Sequence, residues 1–276
     1  MSTEHLAILG GGNMGRALIG GLLRGDTRPE HIFVAERLES AREALSRDFG
    51  IRASEDSHSA VAAASMIVVA VKPQDTHSIL APLSALLQRN RPLIVSVAAG
   101  IRVSALESWC GASVPIVRSM PNRPALVGAG ATGLFAPASV AAVHRERAER
   151  VMRAVGQAVW VSDEDQLDVV TALSGSGPAY FFLLAELLMQ GGMEMGLDAS
   201  VARELALATL QGSGQLAGGS DGDLRRLRAE VTSKGGTTEA AVRVLEAADL
   251  GGILRAAMRA AAGRSREIAE QFGIDR

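Results

Sequence analysis

Near the start of the chain, Gly10-Gly11-Gly12-Asn13-Met14-Gly15 carries the spacing G-x-G-x-x-G, directly after the apolar run Leu6–Leu9 and directly before a stretch of helical composition. In that setting Gly10 permits a tight turn, Gly12 lets backbone approach a pyrophosphate, and Gly15 lets a helix pack closely on a strand. The first N–H groups of such a helix have no intrahelical acceptor and face the anion. The spacing by itself also suits a plain structural turn; its place at the head of a strand–helix series points to a dinucleotide.

The residues after the second apolar run bear on which dinucleotide. Glu36 stands about 20 residues beyond the loop, where an acid bonds a ribose 2′-hydroxyl. Arg37 follows it and suits a 2′-phosphate. The pair leaves NAD and NADP both open. Two more loops follow apolar runs and should face the same crevice: Ala70-Val71-Lys72-Pro73-Gln74 and Ser96-Val97-Ala98-Ala99-Gly100. The small residues of the second leave room for a flat ring. Lys72 reads as a cofactor or solvent contact rather than an acid/base, because nothing nearby in sequence would depress its pKa.

Two hydroxyl-rich clusters lie further on, Leu173-Ser174-Gly175-Ser176-Gly177-Pro178-Ala179-Tyr180 and Val231-Thr232-Ser233-Lys234-Gly235-Gly236-Thr237-Thr238. Each is expected to precede a helix, with Thr237 or Thr238 capping the second. A cap needs one hydroxyl; the surplus between Thr232 and Thr238, beside the amides of Gly235 and Gly236, suits a small carboxylate. None of the five histidines (His5, His31, His58, His77, His144) adjoins these clusters. An alcohol dehydrogenase needs an acid/base for the hydroxyl proton. A protonated imine is already electrophilic, so a hydroxyl-lined, histidine-poor site fits reduction of C=N better.

These residues need a frame. Leu6–Leu9, Ile32–Ala35, Met66–Val71, Leu93–Val97 and Val114–Val117 are short continuous apolar runs, as in strands buried on both faces of a parallel sheet. Helical patterns at Met14–Arg24, Glu39–Phe49, Thr76–Leu87 and Val103–Trp109 alternate with them, giving βαβ units. Ala125–Val143 is uncharged, but its glycines and Pro137 favour strand and loop over a membrane span. Beyond Trp160 the pattern becomes helical, opened by the capping-box form Ser162–Asp165 and closed by a helix near Gly252–Phe272. The expected fold is α/β, an N-terminal doubly wound parallel sheet over residues 1–160 followed by an all-α domain over 161–276. From Pro178 to Met195 only Glu186, Gln190 and Glu194 break an apolar surface, on one narrow stripe. Such a helix needs cover on nearly every side, which favours a second subunit.

Composition narrows the class. A net charge of −2 argues against nucleic acid as a partner, and 47% hydrophobic residues place the chain among globular proteins. Glycine is abundant at 30 residues and rings are scarce. A single cysteine, Cys110, reads as apolar filler and, with no Cys/His cluster, implies no metal site and a cytoplasmic setting. Glu4 stands where a signal peptide would be basic, so none is expected.

Together Ile8–Gly15, Ala70–Pro73, Val95–Gly100, Met120-Pro121-Asn122, Leu173–Tyr180 and Val231–Thr238 resemble the ordered motif set of the pyrroline-5-carboxylate reductases, from about residue 5 to about 270. The resemblance implies NAD(P)H-dependent reduction of 1-pyrroline-5-carboxylate to L-proline, on a Rossmann domain and a helical dimerisation domain with the active site between subunits. It further implies that Gly10, Gly11, Gly12, Asn13, Met14 and Gly15 hold the pyrophosphate, that Glu36, Arg37 and Ser57 lie near the adenosine ribose, and that Val71, Lys72, Pro73 and Ala98 line the nicotinamide. Ser233, Gly236 and Thr237 would bind the substrate carboxylate, and Thr238 would be the catalytic residue at the ring nitrogen, with Glu164 at the site entrance. The resemblance tips the cofactor toward NADPH, with NADH possible. Arg123 and Lys234 depart from the family pattern, which has Thr and Pro there; both add positive charge beside ligand loops. Two other readings stand beside this one: a β-hydroxyacid dehydrogenase using Lys234, and a protein that binds NADP without turnover.

Overall fold

The computed structural model describes residues 5–219 and 222–273. They form two compact units, one running to Ser176 and taking in the chain again from Ala260, the other Gly177–Arg259.

The first unit alternates strand and helix: β1 (Leu6–Leu9), α1 (Asn13–Arg24), β2 (Ile32–Ala35), α2 (Glu39–Phe49), β3 (Arg52–Ser54), α3 (Ser57–Val61), β4 (Met66–Val69) and α4 (Pro73–Leu80). It continues through α5 (Ser84–Asn90), β5 (Leu93–Ser96), α6 (Val103–Cys110), β6 (Ile116–Met120), β7 (Gly130–Phe135), α7 (Ala142–Arg153), β8 (Gly156–Trp160) and α8 (Gln166–Val170). The strands form one sheet in the order β3-β2-β1-β4-β5-β6-β7-β8, parallel except where β6 meets β7. Its two faces are sorted by alternate residues. Leu6 and Ile8 of β1 pack with Leu18, Ile19 and Met152 on one side; Ala7 and Leu9 pack with Leu80, Leu87 and Leu106 on the other. Both faces being covered is why the runs are continuously apolar.

Several elements differ from the sequence-based expectation. The run placed at Thr76–Leu87 is two helices, α4 and α5, separated by a 3-10 turn at Ala81–Leu83 where Pro82 cannot continue an α-helix. The strand placed at Val114–Val117 is β6 instead, extending through two buried polar residues because each has an internal partner: Arg118 pairs with Glu164, and Ser119 Oγ donates to Ser96 O. The segment Ala125–Val143 holds β7 and loop, as expected. Ser162–Asp165 leads into a helix three residues later than a Ser162 cap would start it: Asp165 is the N-cap residue and α8 starts at Gln166, whose side-chain oxygen accepts from the N–H groups of Ser162 and Asp163.

The second unit is helical: α9 (Gly177–Glu194), α10 (Ala199–Gly218), α11 (Leu224–Glu230), α12 (Thr237–Ala247) and the start of α13 (Leu250–Gly273). Within α9 only Gly177, Ala185 and Gly192 are buried, while Phe181, Phe182, Leu183, Leu184, Leu187 and Leu188 are 49–61% exposed. By length and composition Gln166–Glu194 is also apolar enough to cross a membrane.

Candidate active site

The chain lays β1, β2 and β3 outward in one direction and then returns to place β4 beside β1, so a crevice opens at the carboxyl ends of β1 and β4. This reversal is where doubly wound folds bind ligands. The loop after β1 fills it. Gly10 has φ 104, its N–H donates to Ala35 O at 2.8 Å, and a Cβ there would lie 2.7 Å from Ala70 O. A Cβ on Gly15 would run into Gly10 O, which fixes how closely α1 meets the strand. Gly12 is different: a Cβ there meets nothing within 4 Å, so no protein contact calls for glycine. The first intrahelical bond of α1 is Arg16 N–H to Gly12 O, leaving the amides of Asn13, Met14 and Gly15 ahead of the ladder, with no acid in the first turn. Open space at Gly12 before three amides fits a pyrophosphate.

The other predicted cofactor residues sit on neighbouring loops of this unit. Val71 touches the Gly10 position, Lys72 is the exposed N-cap of α4, Pro73 is its first residue, and Ala98 is 5% exposed after β5. Ser57 starts α3, whose cap is made by Asp56, accepting from His58 and Ser59 N–H. Glu36 is turned inward. Its Oε2 accepts from Gly11 N–H at 2.8 Å and its Oε1 from Leu38 N–H at 2.9 Å. Arg42 holds the carbonyls of Glu36 and Arg37. The Arg37 side chain is exposed.

The second hydroxyl cluster lies in the other unit. Gly236, not a threonine, is the N-cap of α12, and no side chain bonds to it; Thr237 is the first helical residue. The expected threonine cap is therefore not made; Glu239, at the third helical position, reaches back to accept from Gly235 N–H at 2.8 Å. Gly236 N–H donates to Ser233 O at 3.0 Å, closing a turn at Ser233–Gly236. Thr238 is half-buried; Ser233, Lys234 and Thr237 are exposed. Freed from capping, the Thr237 and Thr238 hydroxyls remain on the first turn of a helix.

The Leu173–Tyr180 cluster leads into α9 from Gly177, as expected, and its first residues are themselves helical. Thr171–Gly175 is a π-helical turn, with Ser176 N–H reaching Thr171 O, and such widened turns recur at functional sites. Asn122 clamps it by donating to Ser174 O while accepting from Ala131 N–H. Arg123, next along, is exposed. Glu164 is engaged by the protein: its Oε1 accepts from Arg118 Nη1 and from Val103 N–H, each at 2.7 Å. Burial, the largest influence, pulls the Arg118 guanidinium below its usual range, and Glu164 offsets it. Cys110 is buried, and desolvation pushes its thiol up to about 12.

A cleft of about 790 Å³ lies elsewhere, beside Leu6 and Met66 at the amino ends of the strands, lined by Arg28, Arg147, Arg150 and Arg153. Arg28, Arg147 and Arg153 already hold Glu30, Ser65 and Glu149. The last turns of α1 and α7 border the cleft, and helix C-termini disfavour anions. It is not the site.

Residues 164–268 match the family model described as pyrroline-5-carboxylate reductase dimerisation, and residues 5–100 match that described as NADP oxidoreductase, coenzyme F420-dependent. A pyrroline-5-carboxylate reductase of Pseudomonas aeruginosa is 42% identical over 99% of this chain and 100% of its own, and one of Mycobacterium tuberculosis is 40% identical over 96% of each. A solved reductase of the same name from Coxiella burnetii superposes with a TM-score of 0.93 at 37% identity, covering 97% of this chain and 99% of that one. The pyrroline carboxylate reductase of Plasmodium falciparum, solved with NADP bound, gives 0.83 at 27% identity over 98% and 99%.

Proposed function

The chain belongs to the pyrroline-5-carboxylate reductase family, and from that premise we propose that it works as a homodimer or larger homo-oligomer with the active site shared between subunits, and that it uses NADPH. The reaction is reduction of 1-pyrroline-5-carboxylate to L-proline, the last step of proline biosynthesis. NAD(P)H supplies the hydride for the C=N carbon when bound. The Asn13, Met14 and Gly15 amides hold the pyrophosphate above Gly10, Gly11 and Gly12. Arg37 pairs with the 2′-phosphate, and Ser57 lies beside the ribose. Val71, Lys72, Pro73 and Ala98 border the nicotinamide. Ser233, Gly236 and Thr237 take the substrate carboxylate, and the Thr238 hydroxyl positions the ring nitrogen and its proton. Glu164 serves this site at one remove, through Arg118 and Val103.

One observation carries the choice of NADPH: both Glu36 oxygens are occupied by backbone amides, while the neighbouring Arg37 side chain stands exposed. An acid so engaged is a poor acceptor for a ribose 2′-hydroxyl, and a free guanidinium suits a phosphate. We divide the roles at residue 160, cofactor before it and substrate and subunit contacts from 161 to 276. The apolar face of α9 suits a second copy of this chain rather than lipid, since the matched family model is a dimerisation domain. The buried lone Cys110 fits a reducing cytoplasm; nucleic acid has no part in the reading, given the near-neutral charge.

The test is NADPH absorbance with and without 1-pyrroline-5-carboxylate. Oxidation that depends on this substrate is expected; NADPH binding without turnover would sink the reading. Thr238→Ala should then lower kcat/KM by about 30-fold with NADPH affinity unchanged, and Lys234→Ala should keep most activity. The reverse pattern would favour a lysine-dependent hydroxyacid dehydrogenase.

A further inference from the structure

Asp168 is buried to 4% exposure, and its carboxylate joins three segments distant in sequence. Its Oδ2 lies 3.2 Å from Arg102 Nη2, in the loop between β5 and α6, and its Oδ1 accepts from Ser265 Oγ at 2.6 Å, on α13. Ser265 is itself buried. Placing a carboxylate out of water is unfavourable unless charge and hydrogen bonds compensate it, so an arrangement that does so locally constrains whatever it holds. What it holds is the cofactor-facing loop after β5. That loop is gripped at several further points. Gly100, at φ 76, backs onto α13 so closely that a Cβ would lie 2.6 Å from Ile268 Cγ2; Ala98 N–H donates to Ser96 Oγ; Val103 N–H donates to Glu164. Arg102 has a second leg to Asp165 at 2.5 Å, but Asp165 is 77% exposed, where an ion pair contributes little.

We propose that Asp168 is a positioning residue for the nicotinamide end of the site: through Arg102 and Ser265 it fixes the Ala98–Gly100 turn against α13. The proposal rests on the reading that Ala98 borders the nicotinamide. It predicts that loss of Asp168 spoils alignment of the reacting end of the cofactor while leaving the adenosine end, held at the glycine loop and Arg37, as it was.

The experiment uses full-length Asp168→Asn, Ser265→Ala and Asp165→Asn beside the unaltered protein. Asparagine keeps the volume and an acceptor for Ser265 but removes the charge that holds Arg102. Four quantities are read: kcat, Kd for NADPH, Kd for 2′,5′-ADP, which has no nicotinamide, and the isotope effect with 4-deuterated NADPH. Asp168→Asn should lower kcat about tenfold and Ser265→Ala about threefold, with a larger isotope effect as hydride transfer becomes limiting. Binding of 2′,5′-ADP should stay within about twofold in both, and Asp165→Asn should stay within about twofold throughout. Parallel loss of 2′,5′-ADP binding and turnover would reduce Asp168 to a general stabiliser and overturn the proposal. So would unchanged kcat, or an Asp165→Asn effect as large as that of Asp168→Asn. If Asp168→Asn does not fold, Ser265→Ala decides by the same criteria. Failure of the underlying reading shows separately, as an unaltered protein that binds NADPH without oxidising it when 1-pyrroline-5-carboxylate is added.

Discussion

In the sheet-bearing unit, Ile8, Leu9, Leu18, Ile19 and Ile67 are completely removed from water; in the helical unit, Phe181, Phe182, Leu187 and Leu188 keep half or more of their surface exposed. Both regions draw on the same aliphatic and small-residue palette, so composition does not separate them. Closure does. A sheet with helices on both faces shields its strands from within one chain. The α9 helix has apolar side chains around most of its circumference, and its only fully covered positions are small. Burying a half-exposed Leu or Phe is worth about 1 kcal/mol or more, so six such residues around the helix are a large reserve for a second copy of the chain. The first unit is finished by its own chain; the second awaits a surface.

The hardest blow to that contrast is Leu184→Glu with Leu188→Glu, four residues apart on one side of α9. Sedimentation should show monomers, and turnover should fall about 100-fold, while 2′,5′-ADP still binds. An active oligomer would mean that this face is not the one covered. Next in size is Gly12→Val, which probes the self-sufficient unit. Because a Cβ there meets no protein atom, the Tm should move by no more than about 2 °C while NADPH affinity drops about 30-fold. Gly15→Val should differ by losing stability as well, from its clash with Gly10 O. Arg37→Ala should raise the Kd for NADPH about tenfold and leave that for NADH unchanged, as titration of intrinsic fluorescence would report. The smallest effect belongs to Cys110. With its thiol at about 12, the nucleophilic thiolate is scarce at pH 8, so a thiol-specific disulfide reagent should colour only after guanidinium unfolding, and an immediate reaction would contradict its burial.

What could be read from the sequence was what local spacing encodes. The Gly10–Gly15 turn, the strands β1 and β2 and the helix α2 fall where the residue pattern puts them. The strands that were missed are β3, an edge of three partly polar residues, and β8, which opens on Gly156 and Gln157 and leaves Val159 exposed. Position also misleads about side-chain partners. Glu36, expected beside the adenosine ribose, also accepts from two backbone amides that its position does not announce; Thr237 and Thr238 stand where a cap is needed, yet Gly236 takes that position. Arg118 looks out of place in a strand until Glu164, 46 residues later, is seen beside it. The Arg102–Asp168–Ser265 bridge was least legible of all, because its members lie 66 and 97 positions apart and no periodicity links them.

That bridge also sets an order on the making of the protein. The chain leaves the sheet-bearing unit at Ser176 and rejoins it only at Ala260, so Ile268 and Ala269, which back the Gly100 turn, and Ser265, which bonds Asp168, are synthesised long after the strands they serve. The sheet and the glycine loop can form early in synthesis, as N-terminal regions do. The Gly100 turn cannot settle until the chain has passed Ala269, so a polypeptide cut before Ala260 would keep its glycine loop yet lack the brace behind that turn.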